Sequence, residues 1–133
     1  MSKINLDKFI GIPFSYCGKD ISGCNCWELL RMVFAEYGII VPEFIIDQFD
    51  PKTIHDSVQK GKSLWIKIEE PVEPCALLFK GFRVDAPNLA THLGIYVGEG
   101  RFLHITESRR SVNERLFKPF FMSNLVGMYE FKG

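Results

Sequence analysis

A cysteine stands at the start of the clearest helical pattern in this chain. Asn25 can cap a helix that begins at Cys26, and Gly38 suits the left-handed position that follows a helix C-terminus. The positive end of the helix dipole and the unpaired first-turn N–H groups both favour a thiolate at Cys26. The pattern therefore predicts a helix that presents a reactive thiol at its N-terminus. The residues on its apolar face are Trp27, Leu30, Val33, Phe34 and Tyr37.

Strand patterns dominate the chain beyond this helix. They cover residues 64–68, 76–79, 91–98, 101–106 and 125–131. Because helices come first and antiparallel strands follow, we expect an α+β fold in which the Cys26 helix packs on one face of the sheet. A length of 133 residues with 47% hydrophobic content suits one full core, so residues 1–133 are predicted to form a single domain.

Shorter patterns lie outside these elements. Apolar residues at helical spacing predict a short helix that ends before Gly11, and weaker helical patterns occur over 45–49 and 53–61. The charged stretch 107–115 is interpreted as a solvated strand or loop. An aromatic cluster follows it, and we expect this cluster to join the core rather than a contact between subunits. Its residues are Phe117, Pro119, Phe120, Phe121 and Met122.

Two histidines flank the predicted hairpin, and the length of its loop decides whether they share a face. Side chains alternate across a strand, so a two-residue loop would place His104 on the face opposite to His92. A three-residue loop, Gly98-Glu99-Gly100, places both histidines on one face as diagonal neighbours. The sequence favours this loop, as a type I turn followed by a left-handed residue at Gly100.

The shared face gives the two histidines a chemical use. We expect His92 to take the proton of the Cys26 thiol as the sulfur attacks a carbonyl carbon. His104 is then expected to hold the His92 ring through its other nitrogen, and the backbone N–H of Cys26 to help stabilise the oxyanion. The spacing alone does not decide which histidine has which role, because the fold sets it. A zinc site that adds Cys24 to these three residues is the alternative. Because Cys-x-Cys spacing is tight for the common zinc turn, we expect no metal or other cofactor.

Composition argues against several kinds of partner. Lys+Arg and Asp+Glu both number 16, which argues against an electrostatic grip on nucleic acid. No apolar run reaches the roughly 20 residues that span a membrane, and residues 1–8 lack a signal-peptide pattern, so we expect synthesis in the cytoplasm. Four irregularly spaced cysteines predict free thiols, with Cys17 and Cys75 as packing residues. His55 lies in a polar stretch and is expected at the surface.

Five short segments occur in order along the chain. They are Gly11-Ile12-Pro13-Phe14, Asn25-Cys26, Pro74-Cys75-Ala76-Leu77, His92-Leu93-Gly94-Ile95-Tyr96 and Phe102-Leu103-His104. Together they resemble the NlpC family of papain-fold cysteine peptidases, which cleave amide bonds in bacterial cell-wall peptides. The resemblance implies a papain-like fold and a cysteine hydrolase that acts on peptidoglycan stem peptides. It also implies catalytic roles for Cys26, His92 and His104, with Asn25 and Tyr16 as substrate-binding residues.

Two further segments resemble a narrower branch of that family. They are Cys26-Trp27-Glu28-Leu29-Leu30-Arg31 and Gly38-Ile39-Ile40-Val41-Pro42, which are similar to the NlpC branch attached to phage tails. This resemblance implies a phage or prophage tail component that cleaves the host wall locally. Its partners would be other tail proteins, and its final location would be the virion tail.

The chain departs from the family pattern at four places. Phe14 stands where the family usually carries tyrosine, and Asn25 replaces aspartate. Glu28 replaces a small residue, and Cys75-Ala76 replaces Gly-Asp. Phe14 and Glu28 support a second hypothesis, a tail assembly or docking module that keeps the fold and has lost catalysis. An acyltransferase that uses the same thiol is a third hypothesis.

Overall fold

A computed structural model describes residues 4–42 and 64–133 of the protein. The helical patterns predicted over 45–49 and 53–61, together with His55, lie outside the described residues. In chain order, the described elements are a 3-10 turn at Asp7–Phe9, β1 Lys19–Asp20, β2 Gly23–Cys24, α1 Cys26–Glu36, β3 Trp65–Ile68, β4 Cys75–Phe79, β5 His92–Tyr96, β6 Arg101–Thr106, β7 Arg109–Arg115, α2 Pro119–Asn124 and β8 Leu125–Phe131.

Helix α1 begins and ends where the sequence predicts. The Asn25 side chain accepts a hydrogen bond from the Glu28 backbone N–H at 2.9 Å, which caps the first turn. Gly38 follows the helix with a φ of 81°, a left-handed conformation that favours glycine. The predicted apolar face is buried from Trp27 to Phe34, and it packs against β5 and β6. Packing and capping together therefore fix the place at which Cys26 starts the helix.

We expect Asn25→Ala to lower the free energy of unfolding by about 1–2 kcal/mol, because it removes the α1 cap. The same amide donates from Nδ2 to the Tyr16 backbone oxygen at 2.8 Å, so its loss also frees the loop that precedes Cys26. Urea denaturation measures the change, with Asn88→Ala at an exposed position as the control. A loss of unfolding free energy no larger than that of the control would show that the Asn25 cap does not stabilise the protein.

Six strands form the main sheet in the order β3-β8-β4-β5-β6-β7, and every neighbouring pair is antiparallel. Helix α1 covers one face, where Leu93, Ile95 and Leu103 join its buried residues. A second cluster around Phe79 and Phe102 covers the other face. The short strands β1 and β2 pair with each other in the loop before α1. This arrangement is the predicted α+β fold, with the nucleophile helix packed on an antiparallel sheet.

The β5–β6 loop has the predicted three residues but a different turn. Tyr96 pairs with Phe102, and the Val97 N–H donates to the Arg101 oxygen at 2.9 Å. The φ angles are 57° at Glu99 and 72° at Gly100, so both central residues of the turn are left-handed. The predicted type I turn is therefore wrong, because a turn with two left-handed residues matches the strand twist better. The loop length, which decides the face of His104, is right.

The N-terminal segment is shorter than predicted. It forms a single 3-10 turn that buries Phe9, whereas Ile10 is 47% exposed. The chain leaves the turn at Gly11, whose N–H donates to the Ser111 backbone oxygen at 2.8 Å. This bond ties the segment to β7 and prevents a second helical turn. Ser111 is itself buried, so the interpretation of 107–115 as wholly solvated is wrong at this position.

The aromatic cluster after β7 is mostly exposed, so the prediction that it joins the core is wrong for most of its members. Phe121 is buried at 7% exposure, but Phe117 and Phe120 are 62% and 53% exposed. A helix as short as α2 turns only one side toward the sheet, and Phe121 occupies that side. Among the cysteines predicted to pack, Cys75 is buried and Cys17 is exposed in the loop before β1.

Helices long and apolar enough to cross a membrane are absent from residues 4–42 and 64–133.

Candidate active site

Cys26 and His92 line the same open cleft, which has a volume of about 520 Å³. Cys26 is half-buried at the start of α1, and His92 is the first residue of β5. The loop before α1 adds Phe14 and Tyr16 to the walls, and the β4–β5 loop adds Phe82. A cleft of this size is in the usual range for small-ligand sites. The structure therefore brings the predicted nucleophile and the predicted base to one accessible place.

The two histidines share a face and contact each other. His92 Nε2 lies 2.9 Å from His104 Nδ1, and the side chains belong to residues only 5% and 3% exposed. The three-residue loop predicts this pairing, since it makes them diagonal neighbours across β5 and β6. Because His92 Nε2 is hydrogen-bonded to His104, only His92 Nδ1 is left to accept a proton from Cys26.

Glu114 completes this chain of contacts and was missed by the sequence analysis. Its Oε2 lies 2.5 Å from His104 Nε2. In the β6–β7 register Glu114 stands opposite Phe102, and Phe102 is two residues from His104 on the same face. Only the pairing of β7 with β6 places Glu114 beside His104. The charged residues of 107–115 gave no indication of that pairing.

Aromatic rings enclose the histidine pair. Phe82 stacks on His92 with ring centroids 4.0 Å apart, and Phe102 stacks on His104 at 4.6 Å. Phe121 contacts His104 edge-on at 5.7 Å. These rings fix the orientation of both imidazoles and reduce the access of water to them. Phe82 was not singled out from the sequence, because it lies in a loop without periodicity.

Burial sets the charge state of the site. It raises the pKa of the Cys26 thiol, although the backbone N–H groups of Leu93, Cys26 and Trp27 act in the opposite direction. Burial also lowers the pKa of His92 well below its usual value, with the neighbouring His104 as a second cause. The predicted stabilisation of a thiolate by the helix N-terminus is present, but burial outweighs it. Both shifts thus favour the neutral thiol and the neutral imidazole over an ion pair between the two groups.

The predicted substrate-binding residues differ in their surroundings. Asn25 is 5% exposed, and both ends of its amide bond to the chain itself, to Glu28 and to Tyr16. These contacts hold the loop and the first turn of α1 on either side of Cys26, and the role of Asn25 in binding substrate stays a prediction. Tyr16 lines the cleft as the prediction requires, and a hydrogen bond to Glu107 raises the pKa of its hydroxyl.

Glu28 does not lie in the cleft. Its carboxylate accepts from Arg31 Nη1 at 2.8 Å, and Glu28 is only 5% exposed. Arg31 also donates from Nε to the Val41 backbone oxygen at 3.0 Å. This departure from the family pattern therefore ties α1 to the chain that follows it, without occupying the space beside Cys26.

The ligand set of the zinc hypothesis does not assemble. Cys24 is fully buried in the core cluster under α1, and burial raises the pKa of its thiol to about 12. Within the described ranges, groups of three or more His, Cys, Asp or Glu side chains placed to hold a metal ion are absent. The nitrogens that face each other in His92 and His104 are engaged in their mutual hydrogen bond.

Comparison with known proteins gives a consistent family signal. A family model described as the NlpC/P60 family matches residues 11–130. A protein from Staphylococcus aureus subsp. aureus Mu50, described as similar to lipoprotein, NLP/P60 family, superposes with a TM-score of 0.65 at 16% identity, covering 99% of this chain and 44% of that one. NlpC1 from Trichomonas vaginalis superposes with a TM-score of 0.64 at 18% identity, covering 93% and 41%. The chain thus spans less than half the length of these two relatives.

A shorter solved structure aligns over nearly its whole length. The NlpC/p60 domain of the peptidoglycan hydrolase SagA superposes with a TM-score of 0.58 at 20% identity, covering 94% of this chain and 92% of that domain. A search of curated proteins finds no match. At these identities the structural likeness concerns the fold.

Proposed function

Because the chain belongs to the NlpC/P60 family, we propose that it is a cysteine hydrolase that cleaves amide bonds in peptidoglycan stem peptides. The observation that carries the proposal is the placement of Cys26 and His92 in one cleft, with His104 bonded to the second nitrogen of His92. The family is typically one of cysteine peptidases and amidases. The likeness to the domain of a peptidoglycan hydrolase supports the cell wall as the source of the substrate.

The first half of the reaction forms an acyl-enzyme. The Cys26 thiol passes its proton to His92 Nδ1 while the sulfur forms a bond to the carbonyl carbon of the scissile amide. The backbone N–H of Cys26 lies at the start of α1 and stabilises the oxygen that becomes negative. The C–N bond then breaks, and protonated His92 gives its proton to the departing amine. A thioester on Cys26 and a free amine are the products of this half.

The second half releases the acid. His92, neutral again, takes a proton from water as the water oxygen attacks the thioester carbon. The C–S bond breaks, the sulfur takes the proton back from His92, and a free carboxyl group forms on the peptide. The buried His104 holds the His92 ring in place through both halves. The cycle consumes one water and needs no other reactant.

The cleft suits a short peptide with charges of both signs. Arg83 and Glu107 belong to its lining together with Tyr16, and Arg83 forms an ion pair with Asp85 in the same lining. Stem peptides carry free carboxylate groups, and many carry a free amine, so each can meet a group of opposite charge there. The neighbouring Val84 is fully exposed on the β4–β5 loop, where it offers an apolar contact to the peptide.

Mass spectrometry of defined stem peptides tests the proposed activity. Synthetic muropeptides are incubated with the full chain, and products are identified by the new amine and carboxyl termini. We expect one amide bond to be cleaved, and in oxygen-18 water we expect one labelled oxygen in the new carboxyl group. Intact peptides after prolonged incubation would favour the docking module, and transfer of the acyl group to an added amine in place of water would favour the acyltransferase.

For the biological setting, we propose a place in a phage or prophage tail. Support comes from the two segments that resemble the tail-associated branch, since Arg31 of the first segment donates to the Val41 oxygen of the second. The first segment is the first half of α1, and this bond holds the second segment against the helix. Peptide mass spectrometry of purified virions tests the idea on a phage whose genome encodes the chain. Its peptides are expected at a fixed ratio to known tail proteins, and their absence from pure virions would contradict this setting.

A further inference from the structure

A chain of three hydrogen-bonded side chains runs from the cleft across β5 and β6 to the edge strand β7. His92 Nε2 lies 2.9 Å from His104 Nδ1, and His104 Nε2 lies 2.5 Å from Glu114 Oε2. The two histidines are almost completely buried, and the Glu114 side chain is 18% exposed. Each neutral imidazole carries one N–H and one bare nitrogen, so the direction of donation along this chain decides which His92 nitrogen has a free lone pair.

The carboxylate fixes that direction. An ionised carboxylate only accepts hydrogen bonds, so His104 donates from Nε2 to Glu114. Burial lowers the pKa of His104, although the hydrogen bond to Glu114 acts in the opposite direction. A neutral His104 that is protonated on Nε2 has a bare Nδ1, which accepts from His92 Nε2. His92 then holds its only proton on Nε2, and its Nδ1 is bare.

We infer that Glu114 is a positioning residue, which fixes the tautomers of His104 and His92 so that His92 Nδ1 is free to accept the Cys26 proton. The inference rests on the proposed function, since an enzyme that uses the Cys26 thiol as its nucleophile needs a base at this nitrogen. With His104 neutral, as its burial favours, the reverse arrangement with a proton on His92 Nδ1 would require Glu114 to donate a hydrogen bond and therefore to carry a proton. It would leave no acceptor beside the thiol.

A merely structural role makes a different prediction. A bond that only held β6 to β7 would contribute to stability and leave the proton positions on His92 unchanged. The positioning role requires the tautomers of both His92 and His104 to change when residue 114 becomes able to donate a hydrogen bond. Glu114→Gln is the informative variant, because the amide is nearly the same size and can donate as well as accept. Glu70→Gln, at an exposed position after β3, is the matched control.

Long-range proton–nitrogen correlation spectra of the ¹⁵N-labelled full chain near pH 7 give the direct readout. In the wild type we expect His92 and His104 each to show a protonated Nε2 and a bare Nδ1. In Glu114→Gln we expect a second tautomer, with a protonated Nδ1, to appear for both rings. Glu70→Gln is expected to leave both rings as in the wild type.

Steady-state kinetics on a stem peptide give the second readout. We expect Glu114→Gln to lower kcat by roughly 10-fold while KM stays nearly constant. The loss is smaller than that of a full change of tautomer, which can reach about 10⁴-fold in a serine protease, because glutamine can still accept in part of the population. Glu70→Gln is expected to keep the wild-type kcat.

The outcomes separate the inference from the proposed function. Predicted tautomers in a wild-type chain that cleaves no stem peptide would support the positioning role and overturn the proposed function. Normal cleavage with unchanged tautomers and kcat in Glu114→Gln would overturn the positioning role alone. If Glu114→Gln does not fold, the wild-type spectrum still decides, because a protonated Nδ1 on His104 in the wild type contradicts the inference without any variant.

Discussion

Replacing Cys26 with serine is expected to lower kcat/KM for stem-peptide cleavage by roughly 10³-fold or more, which corresponds to about 4 kcal/mol of lost transition-state stabilisation. Serine differs from cysteine by one atom, so the cap at Asn25 and the start of α1 keep their geometry. The hydroxyl is a far weaker acid than the thiol, and a single neutral imidazole cannot remove its proton as readily. The loss should therefore appear in kcat, with little change in KM.

Cys17→Ser is the matched control for this variant. Cys17 carries the same substitution at an exposed position in the loop before β1. We expect it to retain wild-type cleavage and the wild-type melting temperature. Cleavage that survives in Cys26→Ser, at the rate of the Cys17 variant, would mean that another group is the nucleophile and that the described cleft is not the active site.

Removing the base is the second large effect. His92→Ala is expected to lower kcat/KM by roughly 10²- to 10⁴-fold, the range of a lost general base. Two causes add here, since the Cys26 proton has no acceptor and the departing amine has no donor. His55→Ala is the matched control, because it makes the same substitution at the third histidine of the chain. We expect it to keep the wild-type kcat/KM.

The pH dependence of the wild type gives an independent check on His92. Burial lowers its pKa from the usual 6.5, so the ring stays neutral and able to accept a proton below that pH. The acidic limb of the pH profile of kcat/KM should therefore lie below pH 6.5, and activity should be lost as pH falls through the depressed pKa. An acidic limb above that value would show that a nearby negative charge stabilises the protonated His92 ring by more than burial disfavours it.

Local sequence patterns were sufficient for the elements that carry the site. The cap at Asn25, the end of α1 at Gly38 and the shared face of the two histidines all depend on residues close together in the chain. Capping and alternation are short-range properties, which a single sequence contains. The hairpin is the sharpest case, because its loop length alone brought His104 to His92 across β5 and β6.

Long-range packing decided what the sequence patterns could not. Glu114 meets His104 only because β7 takes the sheet edge beside β6, and the residues between them carry no signal of that register. Phe82 reaches His92 from a loop without periodicity. The balance at Cys26 was also missed, since a helix N-terminus is visible in the sequence while the burial that outweighs it is a property of the fold.

The rate of Cys26 alkylation by iodoacetamide near pH 7 shows whether His92 acts as the base for Cys26, and it needs no substrate. Peptide mass spectrometry follows Cys26 and the exposed Cys17 in the same sample, so Cys17 serves as an internal reference. Burial alone would make Cys26 the slower thiol, because it raises the pKa. If Cys26 reacts faster than Cys17, the excess rate is therefore due to proton removal by His92. We predict that Cys26 reacts faster than Cys17 in the wild type and slower than Cys17 in His92→Ala. A Cys26 that reacts no faster than Cys17, and equally in both proteins, would contradict the account of Cys26 and His92 as nucleophile and base.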